Sequence, residues 1–259
     1  MQNVVQLIRY RELLLSWTQR EIKIRYKHAA LGGMWAVIQP LALMAIFSIV
    51  FTRVLSVSTE SAPYPLFSYV ALLPWIFFAN SISTGVTSVI NNMALISKVS
   101  FPREILALAQ VGAASIDFGV ASLLFIGMLF IYRFVPTGPV WLLPVILAIQ
   151  VALTTGLVLF TAAATVRYRD VRFIVPLGLQ VWFYSTPVIY PLSIVPDHWQ
   201  WVFRLNPMTI IIEGYRDIIL YGRLPAILDL ICVAVLAFII LPLSYRYFKS
   251  TEIWFADIS

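Results

Sequence analysis

Residues 105–132 read ILALAQVGAASIDFGVASLLFIGMLFIY and contain a single charged side chain, that of Asp117. A helix needs about 20 mainly apolar residues to cross the hydrocarbon core of a bilayer. Because lipid offers the backbone no hydrogen-bond partner, a segment of this kind must be helical inside the membrane. A carboxylate in its middle is costly there, so we expect Asp117 to face the protein interior.

Similar apolar runs recur along the whole chain. Of its 259 residues, 61% are hydrophobic and 12% are charged, whereas soluble domains carry about 25% charged residues. A soluble chain of this length could not bury so much apolar surface. The sequence therefore predicts an all-α membrane protein with six transmembrane helices. The six runs lie at 33–56, 66–90, 105–132, 140–166, 173–191 and 226–246.

Lysine and arginine are distributed unequally among the segments that flank these runs. With the N-terminus inside, the inner side carries 13 of these residues and the outer side carries five. Cytoplasmic loops of membrane proteins have such an excess. We therefore predict a multi-pass membrane protein with both termini in the cytoplasm. The net charge of +6 then reflects contact with anionic membrane lipid, and no nucleic-acid partner is expected.

The segment before the first run, residues 1–32, is basic and amphipathic. Within 4–28, apolar side chains recur at near-heptad spacing while most basic side chains lie off that stripe. A helix of this kind can lie in the inner headgroup layer. The pattern fits both a simple membrane-surface anchor and a more specific role. The apolar stripe comprises Leu7, Ile8, Leu14, Leu15 and Ile22.

Residues 91–104 form a short inner segment of mixed polarity between the second and third runs. Pro102 suits the first turn of the next helix, where no amide donor is needed. Glu104 suits the positive end of that helix. The segment is therefore predicted to lead directly into the third span.

Residues 192–225 form the longest outer stretch and are predicted to contain short interfacial or re-entrant helices. Asn206 can cap a helix that Pro207 opens, and Gly222 can end it. The resulting helix is too short to span the membrane. Its apolar residues nevertheless follow helical spacing, which indicates that one of its faces is covered.

No catalytic motif of the common kinds is present. The chain lacks a Gly-x-x-x-x-Gly-Lys-Ser/Thr phosphate loop, a Gly-x-Ser-x-Gly elbow and a His-Glu-x-x-His pair. His28 and His198 fall on opposite predicted sides of the membrane, and Cys232 has no metal-ligand spacing around it. We therefore expect a transport protein rather than an enzyme, with no metal site and no cofactor in this chain.

Two features bear on the kind of transport. Asp117 is the only clear candidate for an ionisable group deep in the membrane, and one such group is weak support for an ion-coupled carrier.

An aromatic cluster in the outer half of the fifth run can stack on sugar rings or form an ordinary interfacial belt. Trp182 and Tyr184 lie about 200° apart on a helix, so only one of them can face a narrow pore. The cluster comprises Trp182, Phe183, Tyr184 and Tyr190.

Several stretches, taken in order, resemble the polysaccharide-exporting permeases of type-2 ABC transporters. They are REIKIRYKHAALGGMWAVIQPL at 20–41, LPWIFFAN at 73–80, ISKVSFPR at 96–103, YRDV at 168–171, and NP at 206–207 through YR at 215–216. Such permeases move O-antigen, teichoic acid or capsular polysaccharide. The resemblance implies a lipid-linked polysaccharide substrate, most simply O-antigen. It also implies a homodimer that works with two separate ATP-binding subunits, which bind ATP and magnesium.

The resemblance also implies roles for particular segments. Residues 1–32 would form a gate helix, and 33–259 would form the six-helix transmembrane domain with a coupling segment at 91–104 and outer helices at 192–225. An exporter of a small lipid or drug and a secondary carrier are the alternatives. The implied site residues are Arg20, Lys23, Arg25 and Tyr26 in the gate helix; Ile96, Ser97, Lys98, Phe101, Pro102, Arg103 and Glu104 in ATPase coupling; Trp182, Phe183, Tyr184 and Tyr190 along the channel; and Asp117 as an intramembrane acid.

Overall fold

The computed structural model describes residues 10–27, 31–54 and 62–252, and within these ranges the chain is helical with no strand. Ten α-helices are joined by turns and short 3₁₀ segments. They are α1 (Arg11–Tyr26), α2 (Trp35–Ser48, continued by a π-helix over Ile49–Val54), α3 (Tyr64–Gly85), α4 (Met93–Ile96), α5 (Glu104–Ile131), α6 (Leu143–Arg167), α7 (Val171–Tyr184), α8 (Asp197–Arg204), α9 (Pro207–Ile219) and α10 (Ile227–Thr251).

Among the described residues, five helical segments are long and apolar enough to cross a membrane, and they correspond to five of the six predicted runs. The fifth predicted run, 173–191, is shorter than expected because α7 has only 14 residues. At 1.5 Å per residue it is about 21 Å long, less than the roughly 30 Å of a hydrocarbon core. Turns that contain Pro187 follow it directly. The all-α membrane fold is therefore confirmed, with five long spans and one short apolar helix.

The centre of the bundle is occupied by α3, the least hydrophobic of the five long helices. Its apolar window has a mean hydropathy of 1.5 and is 78% buried, whereas that of α10 has a mean hydropathy of 2.7 and is 22% buried. A helix surrounded by protein can carry serine and asparagine, because neighbouring groups satisfy them. A helix that faces lipid has no such partners, so it must be more uniformly apolar.

The helices α6 and α10 approach each other closely at Gly156. A methyl group at this position would lie 3.2 Å from the backbone of Leu241 and 2.8 Å from the side chain of Ile240. Small residues allow membrane helices to pack at short distance, where dispersion contacts accumulate. These two helices therefore form a closely packed pair at one side of α3.

The described part of the basic segment, α1, packs along α5 and does not lie free on a surface. Thr18 of α1 is buried, and a methyl group at Gly112 of α5 would lie 2.8 Å from its hydroxyl oxygen. Trp17 stacks on Phe101 with ring centroids 6.2 Å apart. This packing favours a specific role for the helix over a simple anchor. Residues 1–9 and 28–30, including Leu7, Ile8 and His28 of the predicted segment, lie outside the described residues.

The start of α5 is fixed to the end of α10 by an ion pair. Glu104 is 2% exposed and accepts a hydrogen bond from Lys249 Nζ at 2.7 Å. Tyr245 donates a second one to the same carboxylate at 3.3 Å. The neighbouring Arg103 donates to the main-chain oxygen of Glu252 at 2.5 Å. These contacts join the end of the predicted coupling segment to the end of α10.

Candidate functional site

Asp117 lies midway along α5 and contacts two side chains at the end of α1. Its carboxylate forms an ion pair with Arg25 and accepts a hydrogen bond from Tyr26 Oη at 2.8 Å. The side chains of Arg25 and Asp117 are 23% and 17% exposed. Burial and the adjacent Asp117 raise the pKa of Tyr26 to about 12, so its phenol remains a donor at physiological pH. The acid thus faces protein, and its partner is the predicted gate helix.

A cavity of about 320 Å³ opens beside this ion pair. It is bounded by the end of α1, the start of α2 and the middles of α3 and α5. Besides the ion pair, its polar groups come from Gln39, Asn80 and Thr84. Polar groups next to a membrane-embedded charge offset part of the cost of burying that charge. The cavity is therefore lined jointly by the predicted gate helix and three of the spans.

Only part of the predicted coupling segment is available to a partner. Ser97, Lys98 and Val99 are exposed, and 53% of the Val99 surface is accessible. In contrast, Ile96 is buried, and Phe101 packs on Trp17. Pro102 is half-buried directly before α5, and Arg103 and Glu104 are engaged with α10. The longest exposed stretch of the segment therefore begins with the short turn 97–99 and includes Ser100, while Asn91 and Ala94 are exposed singly.

The predicted gate-helix residues differ in their contacts. Arg20 lies over the ring of Trp17, with its guanidinium carbon 4.3 Å from the ring centroid, and reaches Asn92 Oδ1 at 3.4 Å. Lys23 is exposed. Together with the Trp17–Phe101 stack, the Arg20–Asn92 contact places α1 against both ends of the 91–104 segment. A displacement of that segment would therefore be transmitted to α1.

The aromatic cluster of α7 divides into two sides, as its helical spacing predicts. Trp182 donates to Asn206 Oδ1 at 2.9 Å and meets the ring of Phe78 edge-on at 5.1 Å. Phe183 packs against Phe47 and Trp75. Tyr184 is 62% exposed, and Tyr190 donates to its main-chain oxygen at 3.1 Å. The side chains of Trp182 and Phe183 therefore face the protein, and the side chain of Tyr184 faces outward.

An apolar face is left uncovered on α7 and α2. Only Leu179 is buried in α7, and only Pro40 in α2. Side chains about one helical turn apart on α7 each expose 60% or more of their surface. They are Phe173, Leu177, Val181 and Tyr184. No described helix covers this face.

The outer helix α9 contains a buried arginine, Arg216, to which the sequence analysis assigned no role. Asn206 caps α9 as predicted, because its side chain accepts from the amide of Met208 at 3.0 Å; Gly222, with φ +65°, lies three residues beyond the last residue of α9. Arg216 is fully buried and donates to the main-chain oxygens of Pro187 and Val188, both at 2.7 Å. It also lies over the ring of Phe67, 3.7 Å from its centroid.

Arg216 could have been noticed from its position on the helix. It follows Met208 and Ile212 at intervals of four residues, so it lies on the covered apolar face of α9. An arginine on such a face is rare unless it is paired, and here Glu213 accepts from it at 2.7 Å. The adjacent residue Tyr215 shows that α9 packs into the helix bundle, because its hydroxyl donates a hydrogen bond to the side chain of Gln150 in α6 at 3.1 Å. Gln150 in turn donates to the oxygen of Pro74 in α3 at 2.8 Å.

Comparison with known proteins places these features in a family. The model of the ABC-2 type transporter family matches residues 12–220. The O-antigen export system permease protein RfbA of Myxococcus xanthus is 34% identical over 98% of both chains. A Klebsiella pneumoniae protein of the same name is 31% identical over 82% of both chains. The polysialic acid transport protein KpsM of Escherichia coli is 22% identical over 90% of this chain and 91% of that protein. This chain belongs to the family of ABC-2 type transporter membrane proteins.

Proposed function

We propose that this chain is the membrane subunit of an ABC transporter that exports a lipid-linked polysaccharide, of the O-antigen class, across a bacterial inner membrane. The observation that carries the proposal is the 34% identity, along 98% of both chains, to a protein named as an O-antigen export permease. ATP and magnesium are bound by separate partner subunits, and both termini face the cytoplasm with them. The chain itself moves its substrate without making or breaking a covalent bond.

The conduit is formed between two copies of the chain. Its walls are the uncovered apolar faces of α2 and α7, which otherwise have few protein neighbours. Tyr184 projects from this face, where an aromatic ring can stack on a passing sugar with a contact of about 1 kcal/mol. Weak contacts of this size can be broken and remade as a polysaccharide slides through the conduit. Strong ion pairs between the conduit wall and the polysaccharide would instead stop it at one position.

Work done by the ATPase subunits enters through the turn 97–99. Movement of that turn is passed to α1 through the stacked rings of Phe101 and Trp17. The far end of α1 holds the middle of α5 through Arg25 and Asp117. A connected chain of packed side chains that has two stable arrangements can transmit a movement of the turn 97–99 to the middle of α5. The gate helix, the ion pair and the cavity beside it thus form the inner gate.

The proposal is tested by export in cells. A strain that lacks its O-antigen permease and ATPase is supplied with this chain and its own ATPase, and surface glycan is measured by length. We expect export that requires ATP hydrolysis. Glycan export that persists without ATP hydrolysis but collapses with the proton gradient would indicate a carrier, and copurification of a small lipid or drug without glycan would indicate the other kind of exporter.

The two sides of the aromatic cluster should differ in the same assay. Tyr184→Ala should slow the export of long chains and leave permease abundance unchanged, because the ring is exposed. Trp182→Ala should lower abundance, because it removes the contacts to Phe78 and Asn206. Normal glycan length and rate with Tyr184→Ala would refute an aromatic conduit at this face.

The coupling segment offers a separate test of the ATPase contact. Val99→Asp places a charge on the exposed turn, so it should reduce copurification of the ATPase without changing the unfolding temperature of the permease. Phe101→Asp should lower both, because it also removes the stack on Trp17. Pull-down of the ATPase and thermal unfolding of the permease are measured in parallel. Full ATPase binding by Val99→Asp would show that the ATPase docks elsewhere.

A further inference from the structure

A lateral cavity of about 470 Å³ lies between α5 and α6, with the middle of α3 behind it. The outer helix α9 contributes Tyr215 and Ile219 to its wall, and Pro136 borders it from the turn that joins α5 to α6. Its volume falls within the range of about 300–1,000 Å³ that is typical of ligand pockets. This cavity is called the α5–α6 groove below.

The lining of the α5–α6 groove offers no free polar side chain. It contains no charged residue, and its two hydroxyl groups belong to Ser122 and Tyr215. Ser122 donates to the main-chain oxygen of Phe118 at 2.7 Å, and Tyr215 donates to the side chain of Gln150 at 3.1 Å. Because a bound water needs several polar partners, whereas apolar cavities stay dry and take apolar ligands, the groove suits an apolar occupant.

The α5–α6 groove faces away from the uncovered apolar face of α2 and α7. The central helix α3 packs against α2, α5, α6 and α7; α5 packs against α6, and α2 meets α7 through Phe47 and Phe183. The groove and the uncovered face therefore lie on different sides of α3. Ile126 and Val140, which line the groove, expose 49% and 47% of their surface. In a dimer joined through α2 and α7, the groove is thus open to lipid.

The length of the α5–α6 groove matches one leaflet of a bilayer. Along α5 its lining extends from Phe118 to Leu129, which is about 16 Å at 1.5 Å per residue. This distance is close to half of the roughly 30 Å hydrocarbon core. Next to the lining residue Val140, Trp141 is 72% exposed, and exposed tryptophan is typical of the membrane–water boundary. The groove therefore extends from that boundary to about the bilayer centre.

A free cation stands at the boundary end of the groove. Arg133 follows Leu129 by four residues and has a φ of +51°, at a position after a helix that glycine usually occupies. The next amide, that of Phe134, donates to the Leu129 oxygen at 2.9 Å. The Arg133 side chain is exposed and forms no ion pair or hydrogen bond with the described residues. An unpaired guanidinium group at this level complements the phosphate of a lipid headgroup.

We propose that the α5–α6 groove binds one acyl chain of a glycerophospholipid whose phosphate is held by Arg133. The lipid belongs to the leaflet on the side of α8 and α9, which is the outer leaflet in the proposed orientation. Its chain fills the space between α5, α6 and α9, and so it joins the short outer helix α9 to two of the spans.

The test counts lipid bound to the purified permease. The protein is stripped of lipid in detergent and titrated with phosphatidylglycerol; bound lipid is measured by native mass spectrometry, and thermal unfolding is followed in parallel. We expect one saturable lipid per chain and a higher unfolding temperature with lipid than without it. Ser122→Phe places a ring in the groove and should abolish this binding. Leu123→Phe is the matched control, because Leu123 is 69% exposed on the same helix and does not line the groove.

Variants of Arg133 test the headgroup contact without disturbing the groove. Arg133→Gly should weaken phosphatidylglycerol binding by about fivefold, the effect of one basic side chain near a membrane surface. Its unfolding temperature without lipid should not fall, because glycine readily adopts a positive φ. Arg133→Lys keeps the charge and should retain binding. Diacylglycerol, which lacks the phosphate, should bind the unmodified chain and Arg133→Gly equally.

Three results would overturn the proposal. The first is the absence of any saturable phosphatidylglycerol, and the second is equal binding by the unmodified chain, Ser122→Phe and Arg133→Gly. The third is a shift from dimer to monomer in Ser122→Phe, measured by the mass of the permease, since it would show that a second copy of the chain occupies the groove.

Discussion

Replacing Arg216 with leucine should remove most of the folded permease from the membrane. The substitution leaves the buried oxygens of Pro187 and Val188 without their donor and leaves Glu213 without its counter-charge. Removing one partner from a buried, hydrogen-bonded charge network costs about 3–5 kcal/mol. That loss is a large fraction of the stability of a typical domain. The turn after α7 would also lose its attachment to α9.

Abundance in membranes and thermal unfolding in detergent measure this effect. Arg216→Lys keeps the charge but cannot present two donors to neighbouring carbonyls in a fixed plane, so we expect an intermediate loss. Arg204→Leu is the matched control: this side chain is 58% exposed and lies 3.8 Å from Asp229, so its removal should change stability by less than about 1 kcal/mol. Equal abundance of Arg216→Leu and Arg204→Leu would contradict the role given to Arg216.

Asp117→Leu should abolish most glycan export, and a second substitution should restore part of it. Alone, the change leaves the Arg25 guanidinium and the Tyr26 hydroxyl without their partner in a largely enclosed site, and a partly buried charge without a counter-ion costs several kcal/mol. In the double variant Arg25→Leu with Asp117→Leu, neither charge remains. Replacing both partners by apolar groups is often nearly neutral for stability.

The double variant separates packing of α1 from its function. Abundance should recover in the double variant, whereas export should recover less, because the ion pair that holds the gate helix to α5 is still missing. Lys27→Leu serves as the control, since it removes an exposed positive charge directly after the same helix and should leave both quantities unchanged. If the double variant exports glycan no better than Asp117→Leu and its abundance stays equally low, the pairing does not carry the effect.

The spans themselves were predictable because membrane insertion is governed by local apolar length. All five long helices coincide with predicted runs, and Asn206 and Pro207 open α9 as expected. The sequence did not reveal that α7 ends at Tyr184, because residues 185–191 are apolar enough to continue the run. In the structure these residues form turns that contact α9 through Arg216. Hydropathy also misleads about the centre: α3 is the most buried span and the least hydropathic one.

The pairings within the site were not predictable from local pattern. Arg25 and Asp117 are 92 positions apart, and Glu104 and Lys249 are 145 positions apart. The sequence singles out Asp117, Glu104 and Arg25 separately, Glu104 as a favourable charge at a helix start and Arg25 as a gate-helix charge, and it does not single out Lys249. No periodicity links residues in different helices. The packing of α1 along α5 and the meeting of the end of α10 with the start of α5 bring these charges together.

The ion pair between Glu104 and Lys249 has a consequence for how the protein is made. The ribosome delivers Glu104 to the membrane with the third span, but its partner belongs to α10, which is made much later. Until α10 is synthesised, this carboxylate remains without Lys249 or Tyr245. The four long spans and the short helix α7 that precede α10 therefore form an unfinished intermediate with an unpaired acidic group at the start of α5. Chains that stop before α10 would retain this unpaired carboxylate.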